Sequence, residues 1–541
     1  MGKSIVAVVT IWLILVLGSC TENRQETYHL KYIAHLELDS TLLLISEVTD
    51  SLEVPWDIEE GPDDWLWFTE QKGTINRVHL KNGEKQVLKT ISDVFYRKST
   101  GLTSMVLHPD FSNTPHLFVH YVYAEKNKEF KDQIASRVVR FRFKNEELVE
   151  ETIILDSIPG NTFHNGSRMM ISNDLKLWIG TGDAGNTKQT QDINTLNGKI
   201  LRVNLDGSIP SDNINPNSPV WSVGHRNIQG ITNVNGRVYI SEHGPINDDE
   251  INIIQKGANY GWPDIHGFCD LDREMEYCKE HSITEPIKAW TPTLGTAGLA
   301  YYENPEIPEW NNSLLLATLK GQSLRVLNLD AYGAIAKEGI FLQKTLGRLR
   351  DVEVGTKGEI YLSSSNMDWH PGHQPWMYDS LPKQKGDRII KIEAVPKSSI
   401  TDFEKHQKVN VLKENPEPYK LADENWNMNA TDDEIMRGQN LYMTLCAACH
   451  RPDGSGNIGE IPPMANSDWV SGDKSRLIDV MLLGLSEPID VDGIRYEGEM
   501  PSYRNLSDSD ITDILNYIRI EFGNTSGNII SADILHQRKG I

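Results

Sequence analysis

Near the end of the chain, Cys446, Ala447, Ala448, Cys449 and His450 stand in a row. Two cysteines separated by two residues can form thioethers to the vinyl groups of a haem, and a histidine directly behind them is then held over the iron as an axial ligand. A redox CxxC pair is the competing use of such cysteines. The histidine that follows, the export-like N-terminus and a suitable methionine downstream favour haem c. Covalent haem makes electron transfer part of the function.

A second set of reactive side chains is scattered through the middle of the chain: His164, Asp183, Arg226, Asn227, Lys320, Arg348 and Arg350. A histidine accepts a proton near neutral pH, and a carboxylate can orient its ring. Arginines and a lysine can pair with the carboxylates of an anionic redox cofactor. Any one of these residues alone is an ordinary ion pair or strand-end residue. The reading therefore depends on whether the fold brings them together.

The intervening sequence supplies elements that would do so. A two-strand pattern recurs six times, its inner runs beginning at Pro55-Trp56-Asp57, Gly101-Leu102, His164-Asn165-Gly166, Asn227-Ile228-Gln229, Gly295-Thr296-Ala297 and Leu349-Arg350-Asp351. Each is followed by a turn suited to a tight hairpin and then by a β-prone run such as Trp65-Leu66-Trp67-Phe68 or Leu177-Trp178-Ile179. Such long repeats suit four-stranded blades around an axis better than a sandwich. Residues 28–395 are thus predicted to form an all-β six-bladed β-propeller, with residues 28–46 supplying an outer strand that closes the ring. In antiparallel blades the start of the first strand and the end of the second share a face. His164, Arg226 with Asn227, and Arg348 with Arg350 sit at first-strand starts, while Asp183, Gly244-Pro245 and Lys320 sit at second-strand ends. One mouth of the axial channel is predicted to hold a histidine, a carboxylate and four cations.

The C-terminal part reads as a small all-α unit. Thr431-Asp432-Asp433-Glu434 is a capping-box pattern for a helix running into Cys446, and Ser507 with Asp508 opens another through Ile511, Leu515 and Ile518. Residues 431–523 resemble a class I cytochrome c domain, on Gly438 and Tyr442, Cys446, Cys449 and His450, the Met500-Pro501 pair, and Tyr517. That resemblance implies Met500 as the second axial ligand, a soft thioether that raises the iron potential. Met464 in Pro462-Pro463-Met464 is its rival. Residues 396–430 read as a linker and 524–541 as a C-terminal tail.

A chain of 541 residues allows two or three domains. Residues 5–17 are apolar after Lys3 and lead to Leu17-Gly18-Ser19-Cys20, so residues 1–20 resemble a bacterial lipoprotein signal with a lipobox; a cleaved secretory signal without lipid is the alternative. Cys20 would carry the lipid. Cys269 and Cys278 then remain as a disulfide or as two free thiols. The expected location is the periplasm or the outer membrane, with membrane contact through the lipid anchor only. The net charge of −23 with no basic stripe argues against nucleic-acid binding.

In this order, His164-Asn165-Gly166, Gly182-Asp183, Gly224-His225-Arg226-Asn227, Glu242-His243-Gly244-Pro245, Asp249-Glu250, Asn259-Tyr260-Gly261-Trp262-Pro263 and Gly347-Arg348-Leu349-Arg350-Asp351 resemble the soluble glucose and sorbosone dehydrogenases. Those are propellers that use pyrroloquinoline quinone (PQQ). The resemblance implies that His164 is the general base toward a sugar hydroxyl and that Asp183 holds its tautomer. It implies that Arg226 stabilises charge on the cofactor, and that Lys320, Arg348, Arg350, Asn227 and Thr293 bind it. The carbonyls of Gly244 and Pro245 would hold a calcium ion. Glu250 and Tyr260 belong to a second calcium site or simply finish a loop. The sequence departs from the glucose-oxidising members at Phe163, where they carry an acidic residue before the histidine. Glucose becomes doubtful as the substrate, and Phe163 either packs or favours a less polar aldose, a sorbosone-like aldehyde or a larger saccharide. Electrons would pass singly to the haem and on to an external respiratory acceptor. A calcium-dependent hydrolase resembling lactonases and a non-catalytic docking propeller are the competing readings.

Overall fold

The six inner runs and the six second strands are where the sequence places them. Inner strands Pro55–Glu60, Leu102–Leu107, Gly166–Ile171, Ile228–Val234, Thr296–Tyr302 and Leu349–Val354 each pair antiparallel with the next strand of their own sheet. Each inner strand touches the next, and the sixth touches the first, so they form a ring. Five of the sheets have four strands and that of blade six has six, and together they make a six-bladed β-propeller. The computed structural model describes residues 30–126, 132–245, 248–270, 272–290, 293–373, 386–396, 410–412 and 432–540, without 458, 466, 492, 499, 505, 523 and 525–528.

The second strands lie between neighbouring blades and are buried on both faces, which is why they read as apolar runs. Leu66, Trp67 and Phe68 are buried, and Trp67 meets Phe111 and Phe143 edge-on at 5.4 and 5.1 Å. Burial of such side chains stabilises by about 1.5–3 kcal/mol each, and the sequence repeats them in every blade. Ring closure comes from chain ends. Leu42–Leu52 runs antiparallel to Asp387–Val395, in register from Leu42 with Val395 to Leu52 with Asp387, so an N-terminal strand completes blade six as expected.

Two boundaries need correction. Asn410–Leu412 lies in the stretch read as linker, yet it pairs in parallel with Lys31–Glu37 and extends the sheet of blade six. Residues 524–541, read as a tail, contain the helix Ser531–Gly540, whose Ile534, with the preceding Ile529, is buried among the other helices. Ion pairs Lys474–Asp533 and Arg538–Asp508, at 2.8 and 2.9 Å, hold it there. Its weak amphipathicity in sequence hid it.

The helical unit otherwise follows expectation. Asp432–Leu445 packs on Asp508–Ile520, and Gly438 lets the two axes approach: a Cβ there would sit 2.0 Å from the carbonyl oxygen of Asp513. Ser507 caps the second helix by accepting from Asp510 N–H at 3.1 Å. Cys20, the signal and Thr431 lie outside the described residues. No helix among the described residues is long and apolar enough to cross a membrane.

Glu353 lies on the innermost strand of blade six, and burial pushes its carboxyl up to about 8, with Asp57 and Glu60 adding to the shift. The native state therefore holds a proton that the unfolded chain releases, and this stabilisation is lost as pH rises from the usual carboxylate range through about 8. Glu353→Gln is expected to flatten that loss by roughly 2 kcal/mol between pH 5 and 8. Denaturant unfolding at the two pH values measures it; an unchanged slope would refute the assignment.

Candidate active site

His164 stands just before the inner strand of blade three, and Asp183 just after that blade's second strand, Lys176–Thr181. Antiparallel pairing sets them side by side, with His164 Nδ1 3.0 Å from Asp183 Oδ1. Glycines allow the approach: a Cβ on Gly182 would lie 2.1 Å from the His164 carbonyl oxygen. His164 has a φ of 54°, a left-handed conformation that its surroundings must hold. Its carbonyl accepts Ala184 N–H at 2.9 Å. Asp183 is only 1% exposed, and the same Oδ1 accepts Gly185 N–H at 2.8 Å. A carboxylate held in this way favours the Nδ1–H tautomer and leaves Nε2 as the proton acceptor.

The dyad is joined to blade four. Asp183 N–H donates to the Arg226 carbonyl at 2.8 Å, and Gly182 bridges to Asn227. Asn227 braces the base: its Oδ1 accepts Gly166 N–H at 3.1 Å and its Nδ2 lies 3.4 Å from His243 Nδ1. Arg226 donates through one terminal nitrogen to the His243 carbonyl at 3.2 Å, but its buried Nε has no partner among the described residues. Burial lowers its pKa, opposed by Asp183, Asp249 and Glu242. An unsatisfied buried donor costs about 1–3 kcal/mol. An anionic ligand oxygen at this point would satisfy it.

Lys320 follows the second strand of blade five and donates to Thr293 Oγ1 at 3.2 Å. Surrounding protein lowers its pKa, while the negative charges of Asp249 and of Glu521, the latter from the helical unit, act in the opposite sense. Arg348 and Arg350 enter blade six, and here the expectation of four cations on the rim needs correction. Both donate to Asp368 Oδ2, at 2.6 and 3.0 Å, and Arg348 is 1% exposed. Burial would raise the Asp368 carboxyl, but the two arginines outweigh it and hold it at about 2. Arg350 also reaches Gln229 Oε1 at 3.4 Å and stacks on Trp56 at 3.9 Å. These two guanidinium groups form the floor of the mouth and share one counter-charge.

Gly244 N–H donates to Asp249 Oδ1 at 2.9 Å, while the Gly244 and Pro245 carbonyls accept no hydrogen bond among the described residues. These are hard oxygen donors of the kind calcium takes. No group of three or more His, Cys, Asp or Glu side chains among the described residues is placed to hold a metal, so cofactor and water oxygens would have to complete such a shell. Glu250 and Tyr260 do not converge through their side chains. The Glu250 carboxylate accepts from Gly267 N–H and Asn252, both at 2.8 Å, and the Tyr260 hydroxyl bonds to Ile253 O and Gln255 N at 2.7 and 2.9 Å. The loop-finishing alternative is the one this geometry favours. Cys269 and Cys278 form a disulfide across the loop that carries the helix Asp272–Glu280.

In the helical unit, Cys446, Cys449, His450, Met464, Met500 and Tyr503 border an apolar crevice. The His450 Nδ1 lies 3.0 Å from the Pro462 carbonyl, so its N–H donates there and Nε2 is left for a metal. Met464 follows two residues after that carbonyl and is tied by its N–H to Gly454 O, on the histidine's side. Met500 is paired with Leu485 in a separate bridge. A haem in this crevice would be held by thioethers to Cys446 and Cys449 and by His450 at the iron, and Met464 and Met500 both border the space it would fill.

Sequence reasoning missed His243, Asp368, Gln229 and Trp262 as members of the site. Trp262 donates its indole N–H to Asp183 Oδ2 at 3.0 Å, and it stood in a quoted motif without a role. Asp368 gave no local signal, because its partners precede it on another strand.

Comparison with known proteins agrees with the two halves. The family model for glucose / sorbosone dehydrogenase matches residues 52–370, and that for cytochrome c matches 435–520. Quinoprotein glucose dehydrogenase B of Acinetobacter calcoaceticus is 32% identical over 399 residues, spanning 58% of this chain and 83% of that protein. Cytochrome c-552 of Thermus thermophilus is 37% identical over 90 residues, spanning 16% of this chain and 68% of its own. The solved PQQ-bound aldose sugar dehydrogenase of Streptomyces coelicolor matches with a TM-score of 0.55 at 29% identity, covering 65% of this chain and 98% of that one. With more than half of its length in the first match, this chain belongs to the glucose/sorbosone dehydrogenase family and is an oxidoreductase propeller joined to a cytochrome c domain.

Proposed function

We propose that the chain is a quinohaemoprotein that oxidises an aldose or sugar aldehyde and passes the electrons one at a time through its own haem to an external acceptor. The observation that carries the reading is the His164–Asp183 pair, 3.0 Å apart, together with a buried Arg226 Nε that has no partner among the described residues. PQQ, when bound, supplies the acceptor for the hydride of the sugar. His164 takes the hydroxyl proton through Nε2 while Asp183 keeps Nδ1–H in place. Arg226 lies where negative charge develops and meets it without reorganisation. Lys320 with Thr293, and Arg348 with Arg350, hold cofactor carboxylates and ring oxygens, and Asn227 fixes the loop that carries the base. The Gly244 and Pro245 carbonyls would hold a calcium ion, which supplies Lewis acidity. Oxidation of one hydroxyl-bearing carbon releases two electrons and two protons, so the haem must turn over twice per sugar.

Phe163 bears on the substrate. It is 37% exposed, meets the His164 ring edge-on at 4.9 Å, and lies against Gly185, where a Cβ would stand 3.1 Å away. An aromatic ring there offers a sugar's C–H face a surface and offers a polar hydroxyl nothing, which disfavours glucose. A lipid at Cys20 would keep the assembly at a membrane surface in the periplasm or on the outer membrane, within reach of respiratory carriers.

The test is the visible spectrum of haem-loaded protein given PQQ, calcium and a panel of aldoses and sugar aldehydes. Haem reduction that needs both PQQ and one sugar class is expected; haem that dithionite reduces but no sugar does, in protein that fails to bind PQQ, would overturn the reading. His164→Gln is expected to lower sugar-dependent turnover about 10³-fold with an unchanged haem spectrum. Met500→Ala is expected to spare sugar-dependent dye reduction and to lower the haem potential, measured by redox titration. The same change from Met464→Ala instead would reassign the ligand.

A further inference from the structure

We infer that Trp262 is a positioning residue that holds the proton-accepting dyad and the cofactor-facing arginine in one geometry; the inference rests on the sugar-oxidation reading of His164 and Asp183. Asp183 Oδ1 is shared by His164 and Gly185, which leaves the carboxylate free to rotate about its Cβ–Cγ bond unless Oδ2 is held. Among the described residues the donor to Oδ2 is Trp262, through its indole N–H at 3.0 Å. A carboxylate fixed at both oxygens presents Oδ1 to Nδ1–H in one orientation, so the Nε2 lone pair of His164 keeps facing the mouth. The ring of Trp262 also lies 5.2 Å from the guanidinium carbon of Arg226. A cation beside an aromatic face is attracted to it without being neutralised, so Arg226 is placed and keeps its charge for a ligand.

The indole is itself anchored. Trp262 N–H donates to Gly224 O at 3.1 Å, and its carbonyl accepts from Thr190 Oγ1 and Gln191 Nε2 at 2.8 and 2.7 Å. The loop holding Thr190 and Gln191 is locked by the buried Lys199, whose ammonium donates to the carbonyls of Gln189, Thr190 and Asn197 at 2.8, 2.9 and 2.8 Å. Asn197 in turn donates to the Asp183 carbonyl at 2.9 Å. One braced loop therefore holds both Asp183 and the tryptophan that orients it. An indole serving only as packing would need neither the aimed N–H nor this support.

Trp262→Phe keeps the ring and removes the N–H. In protein without PQQ, ¹⁵N signals of the His164 ring, assigned by their loss in His164→Gln, are expected to change from a single Nδ1–H pattern to an average of two tautomers. With PQQ and the sugar that reduces the haem, kcat is expected to fall about tenfold with KM within about twofold. In an Asp183→Asn background the same change is expected to cost less than about twofold, because its partner is gone. An unchanged tautomer pattern, or a full tenfold loss in the Asp183→Asn background, would overturn the inference. If the phenylalanine protein does not fold, benzothienylalanine at the same position removes the N–H at constant shape and decides by the same signals. The nitrogen spectra need no substrate, so a wild type without sugar-dependent haem reduction would sink the proposed function and still leave Trp262 decided.

Discussion

The inner edge of the ring is the constraint on which the rest of the molecule depends. Each inner strand is hydrogen-bonded on one side only, so its other edge presents N–H groups to the axis. Side chains of neighbouring blades satisfy several of these groups. Asp351 Oδ2 accepts Ile58 N–H at 2.8 Å, Asp57 Oδ2 accepts Met105 N–H at 3.0 Å, and Ser104 Oγ accepts Met169 N–H at 3.1 Å. Two buried carboxylates side by side need a cation, and Arg168 bridges Asp57 and Asp351 at 3.0 Å each. Four blades are thus registered against one another by one charge cluster, and removing its cation would leave buried charge uncompensated at several kcal/mol.

The mouth extends the same solution toward chemistry. Asn227 accepts the Gly166 N–H just as Asp57 and Asp351 accept those below it, but what it fixes is the left-handed turn at His164. Gln229, one step further down, accepts from Arg350 and passes its backbone carbonyl to Arg168 at 3.0 Å. The axial cluster and the floor of the site are therefore continuous. Groups tied by such bonds have their charges aimed before a ligand arrives, which is what makes fixed dipoles and ions effective in a transition state.

All six inner strands and the His164–Asp183 pairing were legible because blade geometry converts sequence order into position: the start of one strand and the end of the next must meet. Local signals also sufficed for the haem attachment, whose residues are contiguous. What stayed hidden depends on partners in other elements. Asp368 neutralises two arginines from outside the strand that carries them, and Trp262 reaches Asp183 from a loop in the next blade. Neither contact leaves a spacing rule. The helix Ser531–Gly540 was missed for a different reason, since its apolar residues make almost no stripe and only docking identifies its buried side. Arg348 was read at the rim because strand position predicts height along the axis but not which counter-charge draws a side chain down.

The misread linker bears most on how the two halves cooperate. By pairing with Lys31–Glu37, Asn410–Leu412 moves the point of departure from the propeller from residue 395 to residue 412. A shorter link confines the helical unit to a smaller volume and raises its effective concentration at the ring. The departure point is on the outer edge of blade six. On the proposed route, in which two electrons pass singly to a haem, a carrier held nearby would shorten the wait between the first transfer and the second. The strand pairing that registers as a small extension of one sheet shortens the link between the propeller and the cytochrome c domain.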